Sequence, residues 1–192
     1  MYKSIFALIF SIFLAGPIFA ADLGGRVISI GSDTTYPPHE FIEDGVVKGF
    51  DVDVVAAICE RINCVPNWVT TAWDGIFPAL ANGEFDMVVS GVTITEERDK
   101  IVDFSDPYII VQQGILMRVS DKGATIDDFK SGAMKLASQN GTTNAALGEE
   151  LVGRDNLALF DSFNNAVIAV QNGDVDGVII DSTSAAAYEQ EF

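Results

Sequence analysis

Two ten-residue stretches 90 residues apart resemble each other: Leu80-Ala81-Asn82-Gly83-Glu84-Phe85-Asp86-Met87-Val88-Val89 and Val170-Gln171-Asn172-Gly173-Asp174-Val175-Asp176-Gly177-Val178-Ile179. Each copy reads as a helix end, an Asn-Gly cap, an aspartate and then an apolar strand. Asn-Gly stops helices through left-handed backbone geometry, so that part of the match is general turn chemistry. The longer match predicts two α/β lobes of similar build.

The flanking periodicities agree. Val27–Gly31 reads as a first strand and Ser32–Pro38 as a turn-rich loop. Val54, Val55, Ile58 and Ile62 repeat at helical spacing, which predicts a helix over 51–61. Strands are expected at 65–69 and 87–89, with a helix at 73–81 between them. Thr95, followed by Glu96 and Glu97, predicts a capped helix running to Lys100. In the second half 114–119, 134–137, 157–160 and 178–180 read as strands. Residues 144–152 and 164–171 read as helices. Strands alternating with helices argue for parallel sheets, in which ligands sit beyond the carboxyl ends of the strands. The expected organisation is a leader over 1–20, a first lobe over 21–111 and a second over 112–192.

The leader rests on Lys3, an apolar run from Ile5 to Ala15, Gly16-Pro17 and then Ala20-Ala21. This is the pattern of a secretory signal peptide cut near Ala20. The run is shorter than the roughly 18 residues a membrane-spanning anchor needs. No cysteine stands at its end, where a lipid would be attached, which argues against a lipid anchor. The expected location is therefore the periplasm. The net charge is −17, and a surface of that sign repels nucleic acid. The two cysteines, Cys59 and Cys64, are plausible disulfide partners in a secreted chain. A continuous helix would hold them roughly 8 Å apart, beyond bridging distance. A bridge therefore requires the helix to end near Asn63. Two cysteines alone make a poor metal site, and neither metal nor cofactor is expected.

Several residues at strand ends and helix starts have chemistry suited to a free amino acid. Arg98 could fork onto a carboxylate or pair with surface acids. Gly141-Thr142-Thr143 opens a helix and offers N–H groups to an anion, or is an ordinary cap. Asp181 ends an apolar strand, as an ammonium acceptor or as a cap. Tyr36 and Trp73 are flat walls for a ligand, cationic ones included, or packing residues. Enzyme motifs are scarce: there is no Gly-x-Ser-x-Gly elbow, Walker loop or His-Glu-x-x-His. The single histidine, His39, reads as structural or as a pocket wall.

Taken together the segments are specific. They are Ile30–Pro38, Gly49-Phe50-Asp51-Val52-Asp53, Trp73–Leu80, Ser90-Gly91-Val92-Thr93-Ile94-Thr95-Glu96-Glu97-Arg98, Val102-Asp103-Phe104-Ser105-Asp106-Pro107-Tyr108 and Gly141-Thr142-Thr143. In this order they closely resemble the polar amino-acid-binding proteins of bacterial ABC importers, solute-binding family 3. The resemblance implies a type II periplasmic-binding clamshell and no enzymatic activity. It implies that Arg98, Thr93, Thr142 and the Thr143 N–H hold the ligand α-carboxylate. It implies that Asp181, Ser90 and the Gly91 carbonyl hold the α-ammonium, and that Asp33, Tyr36 and Trp73 face the side chain. The trio suits arginine, lysine, ornithine or histidine, with glutamine open. The expected partners are a free L-amino acid and an inner-membrane permease, the protein being a monomer.

The sequence departs from the family at His39, where phenylalanine is usual. It also stops at Phe192, before the usual return crossing to the first lobe. That reads as C-terminal truncation and predicts exposed apolar surface on lobe one. Two alternatives stand beside the receptor: a sensing module of a receptor or wall enzyme, and a cyclohexadienyl or arogenate dehydratase on the same fold.

Overall fold

The computed structural model describes residues 21–191; the expected leader lies outside them. The described residues form ten strands and six α-helices. In the first half they are β1 (Arg26–Ser32), β2 (Thr35–Tyr36), β3 (Glu40–Glu43), β4 (Val46–Lys48), α1 (Phe50–Ile62), β5 (Cys64–Thr70), α2 (Ile76–Ala81) and β6 (Met87–Val88). In the second they are β7 (Gln113–Met117), α3 (Ile126–Lys130), β8 (Leu136–Gln139), α4 (Thr143–Val152), β9 (Leu157–Phe160), α5 (Phe163–Asn172), β10 (Gly177–Asp181) and α6 (Ser182–Glu191).

Two main sheets result. The first, β5-β1-β6, is parallel and comes from the first half of the chain. The second, β7-β10-β8-β9, comes from the second half and is parallel except for β7, which runs antiparallel to β10. A small antiparallel flap, β2-β3-β4, which the periodicities do not foretell, follows β1.

The internal echo is structural. Gly83 and Gly173 both take positive φ, 76° and 82°. The aspartate of each copy then ties its strand to the neighbouring one. Asp86 accepts the Ser29 N–H at 2.8 Å, and Asp176 accepts the Lys135 N–H at 2.8 Å. Each also receives an arginine, Arg26 or Arg118. The repeated sequence thus encodes one joint, used once per sheet.

Each sheet has its own core. Ile30, Val55, Cys59 and Val89 pack behind the first. Val178, Ile180, Val167 and Phe163 pack on one face of the second, and Leu136, Val152 and Ile179 on the other. Fully burying such a side chain contributes about 1.5–3 kcal/mol. The expected disulfide Cys59–Cys64 is present, with Cα atoms 4.5 Å apart. It closes because α1 stops at Asn63, whose φ of 54° and ψ of 60° are left-handed.

One expected helix is much reduced. After Thr95 there is only a 3-10 turn, Arg98–Lys100. Thr95 Oγ1 accepts the Arg98 N–H at 3.2 Å, so the cap is real, but the turn does not propagate. Exposed apolar side chains occur in both halves, among them Ile101 at 64%, Ile110 at 93% and Val119 at 88%. Among the described residues no helix is long and apolar enough to cross a membrane.

Candidate functional site

The carboxyl ends of strands from both sheets face one cleft. Beyond β1 lies Tyr36, beyond β5 Trp73, and beyond β6 Ser90, Gly91 and Thr93. Opposite them, Thr142 and Thr143 follow β8, Phe163 follows β9, and Asp181 closes β10. With Arg98 and Asn144 these residues line one cavity of about 30 Å³. Nine of the ten ligand-binding candidates are among them. Asn144 and Phe163 were not foreseen, although each lies just past a strand end on an opening helix turn. Phe163 stacks on Tyr36, with ring centres 5.5 Å apart.

Two formal charges of opposite sign face this cavity, and they stand apart. Arg98 lies against the Trp73 and Phe77 rings, 5.2 and 5.3 Å from their centres. Its Nη1 donates to the Thr93 carbonyl at 2.8 Å and its Nη2 to the Gly141 carbonyl at 3.3 Å. Burial lowers its pKa, so an anion would relieve a desolvated cation. Beside it α4 begins: Thr142 caps the helix by accepting the Ala145 N–H at 3.0 Å. At the other end Asp181 accepts the Tyr36 hydroxyl and the Asn144 amide, the latter at 3.1 Å. Burial first, and then the charge of Asp181, push the Tyr36 pKa far up. Its hydroxyl therefore stays a proton donor.

Ser90 and Gly91 rest on a buried polar floor. The Ser90 hydroxyl donates to Glu40 Oε1 at 2.6 Å and accepts the Asp33 N–H at 2.9 Å. A hydroxyl has one proton and two lone pairs, so one acceptor site remains for a ligand. Burial, reinforced by the charge of Asp51, raises the Glu40 carboxyl well above its ordinary value. Burial also raises Asp51, but bonding with His39, the Gly91 N–H, Glu40 and Tyr108 outweighs it and holds Asp51 low. Asp51 Oδ2 accepts the Gly91 N–H at 2.9 Å and the Tyr108 hydroxyl at 3.0 Å. Asp51 and Tyr108 both lie in the segments that carry the resemblance, with no role foreseen for them.

Asp33 is the exception among the candidates, because it does not line the cavity. Its Oδ1 accepts the Thr35 hydroxyl at 2.7 Å, and its Oδ2 accepts the Gln139 amide at 2.7 Å from across the cleft. The Gln139 side chain thus stands where a ligand's cationic end was expected to meet Asp33. Among the described residues no group of His, Cys, Asp and Glu could hold a metal ion.

Strand ends from two α/β halves converge on a cleft holding one cation and one anion, which defines a two-lobed clamshell binding protein. The model of the bacterial extracellular solute-binding proteins, family 3, matches residues 28–175. The chain belongs to that family. It is 36% identical over 167 residues to the probable histidine-binding protein of Neisseria gonorrhoeae, covering 85% of this chain and 62% of that protein. It is 31% identical over 176 residues to ABC transporter arginine-binding protein 1 of Escherichia coli K12, covering 91% and 71%. An ancestral amino-acid-binding protein, a precursor of cyclohexadienyl dehydratase, superposes with a TM-score of 0.82 at 36% identity. That match covers 85% of this chain and 74% of the ancestral one.

Proposed function

We propose that this protein is the extracytoplasmic amino-acid receptor of a bacterial ABC importer. The protein, a monomer, would close its two lobes, 21–111 and 112–192, on a free L-amino acid, as a carrier that performs no chemistry on its cargo. The observation that carries this reading is the pairing of Arg98 and the α4 start with Asp181 in one cavity. A free amino acid brings a carboxylate and an ammonium that complement these two ends. Arg98, Thr93, Thr142 and the Thr143 N–H take the carboxylate, and Asp181, Ser90 and the Gly91 carbonyl take the ammonium. Tyr36, Trp73 and Phe163 wall the side chain, a surface that favours flat or cationic groups. A basic side chain reaches Asp33 only in exchange for the Gln139 amide. Arginine, lysine, ornithine and histidine are therefore the first ligands to test, with glutamine beside them. The names of the two relatives support this choice.

The test is thermal unfolding against the twenty common amino acids and ornithine. A ligand at 100 times its Kd stabilises by about 2.7 kcal/mol, a visible rise in Tm. The rise is expected with one or more of the named ligands and is lost in Arg98→Ala, where binding falls by roughly 2–5 kcal/mol. A full-sized rise in Arg98→Ala would remove the carboxylate assignment. A cooperative transition that no amino acid shifts would remove the receptor reading.

A further inference from the structure

His39 is 2% exposed, stands behind the small cavity between Arg98 and Asp181, and borders the larger space that adjoins it beside Tyr36 and Ser90. Its ring lies between Tyr36, stacked at 5.1 Å and 15°, and Phe50, edge-on at 6.1 Å and 86°. Its two nitrogens face different halves of the molecule. Nδ1 is 3.7 Å from Asp51 Oδ1 in the first turn of α1, an electrostatic approach longer than a hydrogen bond, and both atoms are buried without a hydrogen-bond partner. Nε2 is 2.8 Å from Thr183 Oγ1 in the first turn of α6. Either tautomer keeps the contact with Thr183, Nε2 accepting from the hydroxyl or donating to it.

Thr183 is two residues past Asp181, and Tyr36, which stacks on His39, bonds Asp181. One approach of β10 and α6 therefore sets both contacts. They differ in what a ligand does to them. Tyr36 and Asp181 line the cavity, so an ammonium competes for their bond. The His39–Thr183 bond uses neither Tyr36 nor Asp181, so an ammonium taken up by Asp181 does not compete for it.

We propose that His39 is a positioning residue for closure: it bridges Asp51 on the first lobe to Thr183 on the second and holds the closed arrangement without touching the ligand. This rests on the clamshell reading above. The phenylalanine expected here would keep the ring packing and lose the bridge. A hydrogen bond worth about 0.5–1.5 kcal/mol changes a closed-to-open ratio by roughly two- to twelvefold.

The experiment measures that ratio without any ligand. Spin labels at Asp53→Cys and Asp155→Cys, both exposed, report the distance between lobes by pulsed paramagnetic resonance, with the native disulfide intact. His39→Phe and Thr183→Val are each expected to shift the distribution toward longer distances by a similar factor. The double variant goes no further than either single one. His39→Gln, which restores a polar atom near the Nε2 position, recovers most of the closed population. Distributions unchanged in both single variants, or effects that add in the double, overturn the proposal. If His39→Phe fails to fold, Thr183→Val and His39→Gln alone decide it. Amino-acid binding by the unmodified chain is scored separately. A chain that binds none of them removes the receptor reading, while the distances still decide the bridge.

Discussion

Glu40 and Asp51 are both fully buried on the lobe-one floor of the site. Two carboxyls so close in a dry setting cannot both ionise cheaply, and the surroundings decide between them. Asp51 takes the N–H and O–H donors and is held below its ordinary range, while burial and the charge of Asp51 push the Glu40 carboxyl well above its own. That division has a pH consequence. The folded-state pKa of Glu40 is raised above its ordinary value of 4.5. The folded state therefore binds more protons than the unfolded one above that pH, and stability falls as pH rises. The contribution is fully present below pH 4.5 and is lost as the pH climbs through the folded-state value. Glu40→Gln keeps an acceptor for Ser90 and cannot ionise. It is expected to flatten this loss, which in the parent chain approaches about 1.4 kcal/mol per pH unit. Urea titrations of both proteins from pH 5 to 8 check it; parallel curves would mean that Glu40 ionises freely.

At the scale of elements, α1 and β5 show what spacing alone can fix. The pair Cys59 and Cys64 demands a helix stop between them, and Asn63, tolerant of positive φ, supplies it. Changing both cysteines to serine reopens a short loop, at a cost of about 2 kcal/mol on the chain-entropy account. The expected Tm difference between parent and variant vanishes under reducing conditions, and a difference that persists there would assign the loss to packing. The segment after Thr95 shows the opposite case. Its cap is legible, but helix formation needs packing to propagate beyond a first turn. Arg98, Asp99 and Lys100 supply no buried face. The arginine instead opens a single 3-10 turn, its side chain against Trp73 and the Gly141 carbonyl.

Over the whole molecule, the two-lobed plan and the lining residues were legible because they rest on local signals. Strand ends, Asn-Gly caps and helix starts all lie within a few residues of their causes. The partners across the cleft were not legible. Asp33 meets Gln139 at a separation of 106 residues and Tyr36 meets Asp181 at 145, distances that no local pattern encodes. The flap β2-β3-β4 escaped because its strands are two to four residues long, too short to establish a period. Those distant contacts also set a clock. Tyr36 and Asp181 line the cavity and bond each other across the cleft, so a cargo that is to meet Asp181 needs that bridge to part. Mixed rapidly with rising amounts of cargo, the protein should bind at a rate that climbs and then levels off at its own opening rate. A rate that keeps climbing in proportion would mean that the cleft stands open most of the time. If the plateau is seen, cargoes of different strength will share one ceiling on how fast they are picked up, and differ mainly in how long they are kept.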